Sequence, residues 1–92
     1  VLPGAEKAAD EFLYTAAGQR NRNHTGPYVT FEDLPFAMEE VLFDPQTSGG
    51  LLLAVAPEDA SALEAELQAA GLPAKIVGEI VPETEHEITV KY

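Results

Sequence analysis

Leu42-Phe43-Asp44-Pro45-Gln46-Thr47-Ser48-Gly49-Gly50-Leu51-Leu52-Leu53-Ala54-Val55 is the stretch that decides how this chain is read. A helix is expected to end near Leu42, and Pro45, with no amide hydrogen and a fixed φ, cannot continue it. A polar turn follows, with two adjacent glycines that tolerate backbone angles closed to other residues and let another group approach the main chain. From Leu51 to Ala56 the chain is wholly apolar, without alternation. A short apolar run between Gly and Pro predicts a central strand buried on both faces.

Working outward, Pro3–Ala16 reads as a helix, with Ala5, Ala8, Ala9, Phe12, Leu13 and Ala16 along one face. Gly18 suits the position just past its end. Residues 18–27 have no apolar period and read as a polar loop. Tyr28-Val29-Thr30-Phe31 is a short candidate strand. Asp33 is placed to cap a helix through Leu42, with Pro35 in its first turn and Leu34, Met38, Val41 and Leu42 facing inward. Pro57–Ala70 is a further helix: Pro57, Glu58 and Asp59 suit its positive end, Ala60, Leu63, Leu67 and Ala70 line one face, and Gly71 and Pro73 stop it. Lys75–Val81 reads as a strand with a bulge or close approach at Gly78. After a turn at 82–85, Glu87–Lys91 alternates as a half-solvated strand closing a hairpin. The order α, β, α, β, α, β, β predicts an α+β fold of two or three layers. It has a mixed sheet with helices packed on it, and the βαβ unit and final hairpin are partly ferredoxin-like.

Ninety-two residues make one domain, 1–92, or a piece of one. Val1 stands where an initiator Met is usual, so a fragment of a longer protein is expected. No apolar run approaches the ~20 residues that span a bilayer. The absence of cysteine excludes disulfides, thiolate zinc sites and cysteine nucleophiles within these residues. Sixteen acids against five bases give a formal charge of −11, which repels nucleic acid and anionic membranes.

Two places have the residue types for anion chemistry. Successive amides of the Asp44–Gly50 turn can form a concavity for phosphate, with Gln46, Thr47, Ser48, Gly49 and Gly50 around it and Asp44 as a weak metal candidate. The structural alternative is a plain helix-to-strand connection, and phosphate loops usually precede a helix rather than a strand. Arg20-Asn21-Arg22 is the one cationic cluster, and arginine forks match phosphate oxygens. The alternative is pairing with nearby carboxylates of an acidic chain. His24 and His86 lack ligand spacing, and Glu39-Glu40, Glu58-Asp59 and Glu83-Thr84-Glu85 read as solvated faces. Ser48 lacks a nucleophile frame, and no Walker or dinucleotide motif occurs.

Asp44-Pro45-Gln46-Thr47-Ser48-Gly49-Gly50-Leu51-Leu52, followed by Ala54-Val55, closely resembles the signature of selenophosphate synthetases. Val1–Ala5 and Ala17-Gly18 before Arg20-Asn21-Arg22 resemble other parts of that family, with the loop here shortened to a single Gln19, and Gly78-Glu79-Ile80 is similar in layout. The resemblance implies the last part of the C-terminal α/β domain of the superfamily typified by aminoimidazole ribonucleotide synthetase. It further implies a cytoplasmic, homodimeric enzyme with a separate N-terminal ATP-binding domain. Such an enzyme converts selenide, ATP and water to selenophosphate, AMP and phosphate with Mg2+. The family's nucleophile and principal magnesium-binding aspartates lie upstream, so no catalytic residue and no cofactor are expected in this fragment alone. The competing readings are a free-standing ferredoxin-like interaction or ligand-sensing module, and a related enzyme such as a thiamine-phosphate kinase or hydrogenase-maturation protein.

Overall fold

In the computed structural model, which describes residues 1–46, 48–83, 85 and 87–91, the expected first helix is two helices. The first, α1, is Ala5–Asp10. It stops because Leu13 N–H donates to Ala8 C=O and Phe12 N–H to Ala9 C=O, both at 2.9 Å. These are the paired bonds of a Schellman termination. Phe12 takes its left-handed position at φ 63, which costs a side-chain-bearing residue about 1–2 kcal/mol. The chain then restarts as α2, Ala16–Thr25, across the stretch expected to be a polar loop. Gly18, expected just beyond a helix, is buried inside one.

A single 3-10 turn at Gly26–Tyr28 leads into β1, Val29–Glu32. Asp33 does not cap the next helix. It occupies the left-handed region at φ 56, and Pro35 is the residue before α3, Phe36–Phe43, with no side-chain cap. The buried face of α3 is Ala37, Glu40 and Phe43, and the expected inward residue Leu42 is 48% exposed. Two neighbours bear on this, because α1 and α2 both pack on α3. The apolar core they enclose includes Ala9, Ala37 and Phe43, and Phe43 meets Phe31 of β1 edge to face at 5.5 Å.

The last strand, β2, is Ile88–Lys91. It closes no hairpin with residues 75–81. It pairs in parallel with β1, with Val29 opposite Ile88 and Phe31 opposite Val90. Parallel strands need a long crossover, and the chain between β1 and β2 supplies it. The architecture is α+β, and the sheet among the described residues is these two parallel strands rather than a mixed sheet.

Two compact units result, Val1–Ser48 with Glu83–Tyr92, and Gly49–Pro82. In the second, α4 spans Pro57–Ala69. It ends in the same Schellman geometry as α1, with Gly71 N–H to Gln68 C=O at 2.9 Å and Leu72 N–H to Leu67 C=O at 3.0 Å. Here a glycine holds the left-handed position, at φ 80. Leu63 and Leu67 are half-buried, and Gln68 reaches the carbonyl of Ala74 at 3.0 Å. The two strands expected to flank α4 are not formed. Leu51, Leu52 and Leu53 are 89, 86 and 55% exposed, and Val77 and Ile80 are 76 and 88% exposed. An apolar run becomes a strand only when neighbouring strands take up its N–H and C=O groups, and among the described residues no strand lies alongside either run. Gly78 is correspondingly at no close approach, with nothing within 4 Å of where a Cβ would stand.

Candidate functional site

The site is built by α2, and α2 is built by Thr15. Its hydroxyl accepts the amide hydrogen of Gly18 at 3.0 Å, the bond of a helix N-cap. From that start Thr15, Gly18, Gln19 and Arg22 fall at i, i+3, i+4 and i+7, one face of a helix. The face is polar, and so are its partners on α3. Gln19 Nε2 donates to Glu40 Oε2. Arg22 Nη1 donates to Glu39 Oε2 at 2.9 Å, and Arg22 Nε lies 2.6 Å from Glu40 Oε1 as a close ion pair rather than an aligned hydrogen bond. The guanidinium also sits 4.8 Å from the ring centres of both Phe36 and Phe43, where ring faces attract a cation. Glu40, expected on a solvated face, is 2% exposed.

The cationic cluster therefore divides. Arg22 turns inward and takes the carboxylate partners that an acidic chain offers. Asn21 donates from Nδ2 to the carbonyl of Phe43 at 2.8 Å, satisfying one of the carbonyls left open at the end of α3. Arg20 is exposed and points away from the face that meets α3, and Asn23 and His24 are also exposed.

The signature turn leaves α3 at Asp44, whose backbone is extended (φ −66, ψ 130). Its carboxylate Oδ1 accepts the Thr15 hydroxyl at 2.7 Å. Gln46, Ser48, Gly49 and Gly50 are exposed. Thr47 lies outside the described residues, as do Thr84 and His86 among the residues weighed above. Among the described residues of this turn, Ser48 takes a left-handed angle, φ 53. Asp44, with one oxygen occupied by Thr15, is no metal centre by itself, and among the described residues no three His, Cys, Asp or Glu are grouped to hold a metal ion. The residues present thus do not fit a magnesium site.

On the sheet, Val29, Phe31, Leu42, Phe43, Ile88 and Val90, with Thr25 the one polar residue among them, line a mainly apolar hollow of about 300 Å³. It lacks the converging polar groups of a substrate pocket. Sequence reasoning missed Thr15, Gln19, Glu39 and Glu40. Thr15 ahead of Ala16-Ala17 was a readable N-cap signal, whereas the burial of Glu40 had no local sign.

With this geometry in place, the chain belongs to a known class: residues 4–91 match the family of AIR synthase related proteins, C-terminal domain. Its relatives narrow the class. It is 58% identical over 98% of its length to the selenide, water dikinase of Agathobacter rectalis, covering 27% of that protein. It is 44% identical over 87% of its length to the selenide, water dikinase of Desulfitobacterium hafniense, and 43% identical over 97% to that of Pelobacter propionicus, covering 24% and 26% of them. The chain thus spans about a quarter of the length of these curated relatives. No solved structure matches it. Among the described residues no helix is long and apolar enough to cross a membrane.

Proposed function

We propose that this chain is the C-terminal part of a selenide, water dikinase, an ATP-using enzyme that makes selenophosphate from selenide and water and releases AMP and phosphate. The observation that carries the proposal is its similarity, across nearly the whole chain, to proteins of that name. The fragment alone is inactive. Its nucleophile and the carboxylates that hold Mg2+ belong to the rest of the enzyme, and no step runs through a metal on these residues.

In the parent the segment that carries the exposed Gln46, Ser48, Gly49 and Gly50 faces the phosphates of ATP or of the products. Phosphoryl transfer is helped mainly by positioning and by neutralising charge, work suited to backbone amides and an open arginine. Arg20 is the exposed arginine of the cluster and so the one open to an anionic ligand. Arg22 and Asn21 support it from beneath by holding α2 to α3. The partners are the N-terminal ATP-binding domain of the same enzyme and a second copy, in the cytoplasm. The exposed apolar runs at 51–55 and 76–81 support a partner that covers them, since soluble chains rarely leave such contiguous apolar surface open.

The test is a full-length enzyme that contains this chain, assayed for AMP and phosphate with and without selenide and with Mg2+ chelated. ATP turnover that ignores selenide would defeat the proposal. For the cleft, Arg20→Ala and Gly49→Val are expected to raise the KM for ATP; an unchanged KM in Gly49→Val removes the turn from the phosphate site, and an unchanged KM in Arg20→Ala removes Arg20.

A further inference from the structure

Arg22 and Gln19 already tie α2 to the body of α3. The remaining contacts of the polar face land somewhere else, on the last residues before the signature turn. Asn21 Nδ2 holds the Phe43 carbonyl at 2.8 Å. The Thr15 hydroxyl holds Asp44 Oδ1 at 2.7 Å while accepting the Gly18 amide at 3.0 Å. A hydroxyl has one hydrogen. With a lone pair committed to Gly18, that hydrogen is directed at Asp44, so the cap of α2 and the start of the turn form one chain of bonds. The packing at Gly18 is close: a Cβ there would stand 3.3 Å from Thr15 Oγ1, a tight contact, and 3.6 Å from the Cα of Asp44, an ordinary one.

We infer that Thr15, Gly18 and Asn21 are positioning residues of the parent enzyme, which set the direction in which the chain leaves α3 at Asp44. The inference rests on the proposal that this turn meets phosphate. A group that binds a reacting phosphate through backbone amides has to be placed to a fraction of an ångström, and a misplacement of about 1 Å can cost on the order of 100-fold in rate. Helix α3 alone does not fix that direction. Its end is held from within by the Asp44 N–H to Val41 C=O bond of 3.3 Å, and Asp44 is already extended. The contacts from α2 supply the orientation.

The experiment uses full-length enzyme carrying Thr15→Val, Thr15→Ser, Asn21→Ala or Gly49→Val. The readouts are the KM for ATP, kcat, the melting temperature and the amide resonances of isotopically labelled glycines 49 and 50. Thr15→Val and Asn21→Ala are expected to shift those resonances and to raise the KM for ATP, Asn21→Ala about fivefold, the equivalent of one neutral hydrogen bond, and Thr15→Val about tenfold or more, since its partner Asp44 is a carboxylate. Thr15→Ser, which keeps the hydroxyl, restores both. Resonances and KM that stay at wild-type values in Thr15→Val and Asn21→Ala, while Gly49→Val raises KM, overturn the inference even if the melting temperature falls. An unchanged KM in Gly49→Val instead overturns the phosphate reading. The glycine resonances then decide on their own whether α2 sets the turn: a shift upholds it and wild-type positions refute it.

Discussion

Replacing Arg22 by methionine removes a cation from between two carboxylates and two aromatic rings while keeping an unbranched apolar stem in its place. The Glu40 side chain is 1% exposed, so it cannot turn to water when its partner is gone. Glu39, at 19%, can do so in part. Removing one member of a buried pair costs roughly 3–5 kcal/mol. The Arg22 side chain is 24% exposed, so some screening already weakens the pair and the lower end applies. Loss of the two ring contacts adds about 0.5–1 kcal/mol each, partly recovered by methionine against the same rings. The expected loss is about 3 kcal/mol, a large part of the 5–15 kcal/mol by which a domain is usually stable. In a chain of this size it corresponds to a fall in melting temperature of roughly 12–24 °C. The measurement is urea unfolding followed by circular dichroism, in wild type, Arg22→Met, Glu40→Met and the double variant. The double variant should be more stable than the two single losses added together, by about 1.5 kcal/mol or more, because it leaves no orphaned charge. A single-variant loss below about 1 kcal/mol, or strictly additive losses, would refute a buried ion cluster as the clamp between α2 and α3.

The other expectations follow from backbone geometry. Phe12→Gly should stabilise the chain by about 0.5–1 kcal/mol, since φ 63 suits glycine and the ring is 76% exposed, and Gly71→Ala, at φ 80, should destabilise it by about 1 kcal/mol. Thermal melts in parallel check both signs. A glycine inside a helix ordinarily gains about 1 kcal/mol on becoming alanine. Gly18→Ala should gain nothing, because the new methyl meets the Thr15 oxygen at 3.3 Å, and Gly18→Val should lose roughly 1–3 kcal/mol. Lys7→Ala should change stability by less than about 0.5 kcal/mol, since its 3.9 Å pair with Glu11 lies in solvent.

Elements set by local signals were legible. Helix α4 has Pro at its start, acids in its first turn, an apolar stripe and Gly at its stop, and it runs Pro57–Ala69, one residue short of the Pro57–Ala70 read from the sequence. β1 and β2 fall where β-branched and aromatic residues cluster. Helix α2 was not legible as a helix, because periodicity was sought in apolar residues. Its inward face is Thr15, Gly18, Gln19 and Arg22, and that pattern has meaning only once Glu39, Glu40 and Asp44 lie opposite. The same applies to the break in the first helix. Phe12 has no local preference for φ 63 and takes it through the two bonds that close α1. The runs at 51–56 and 75–81 carry strand composition without the neighbours that would make them strands.

By itself, then, the order of residues determined the family, through the wording of the Asp44–Leu52 signature, and the places of the helix and strands whose signals lie within a few residues of one another. The tertiary structure decided the parallel pairing of β1 with β2, the inward turn of Arg22 and the grip of Thr15, Gly18 and Asn21 on the end of α3. Each of these depends on partners 14 to 59 positions away along the chain. A polar side chain shows no sign of burial until the group that satisfies its hydrogen bonds and charge is folded against it.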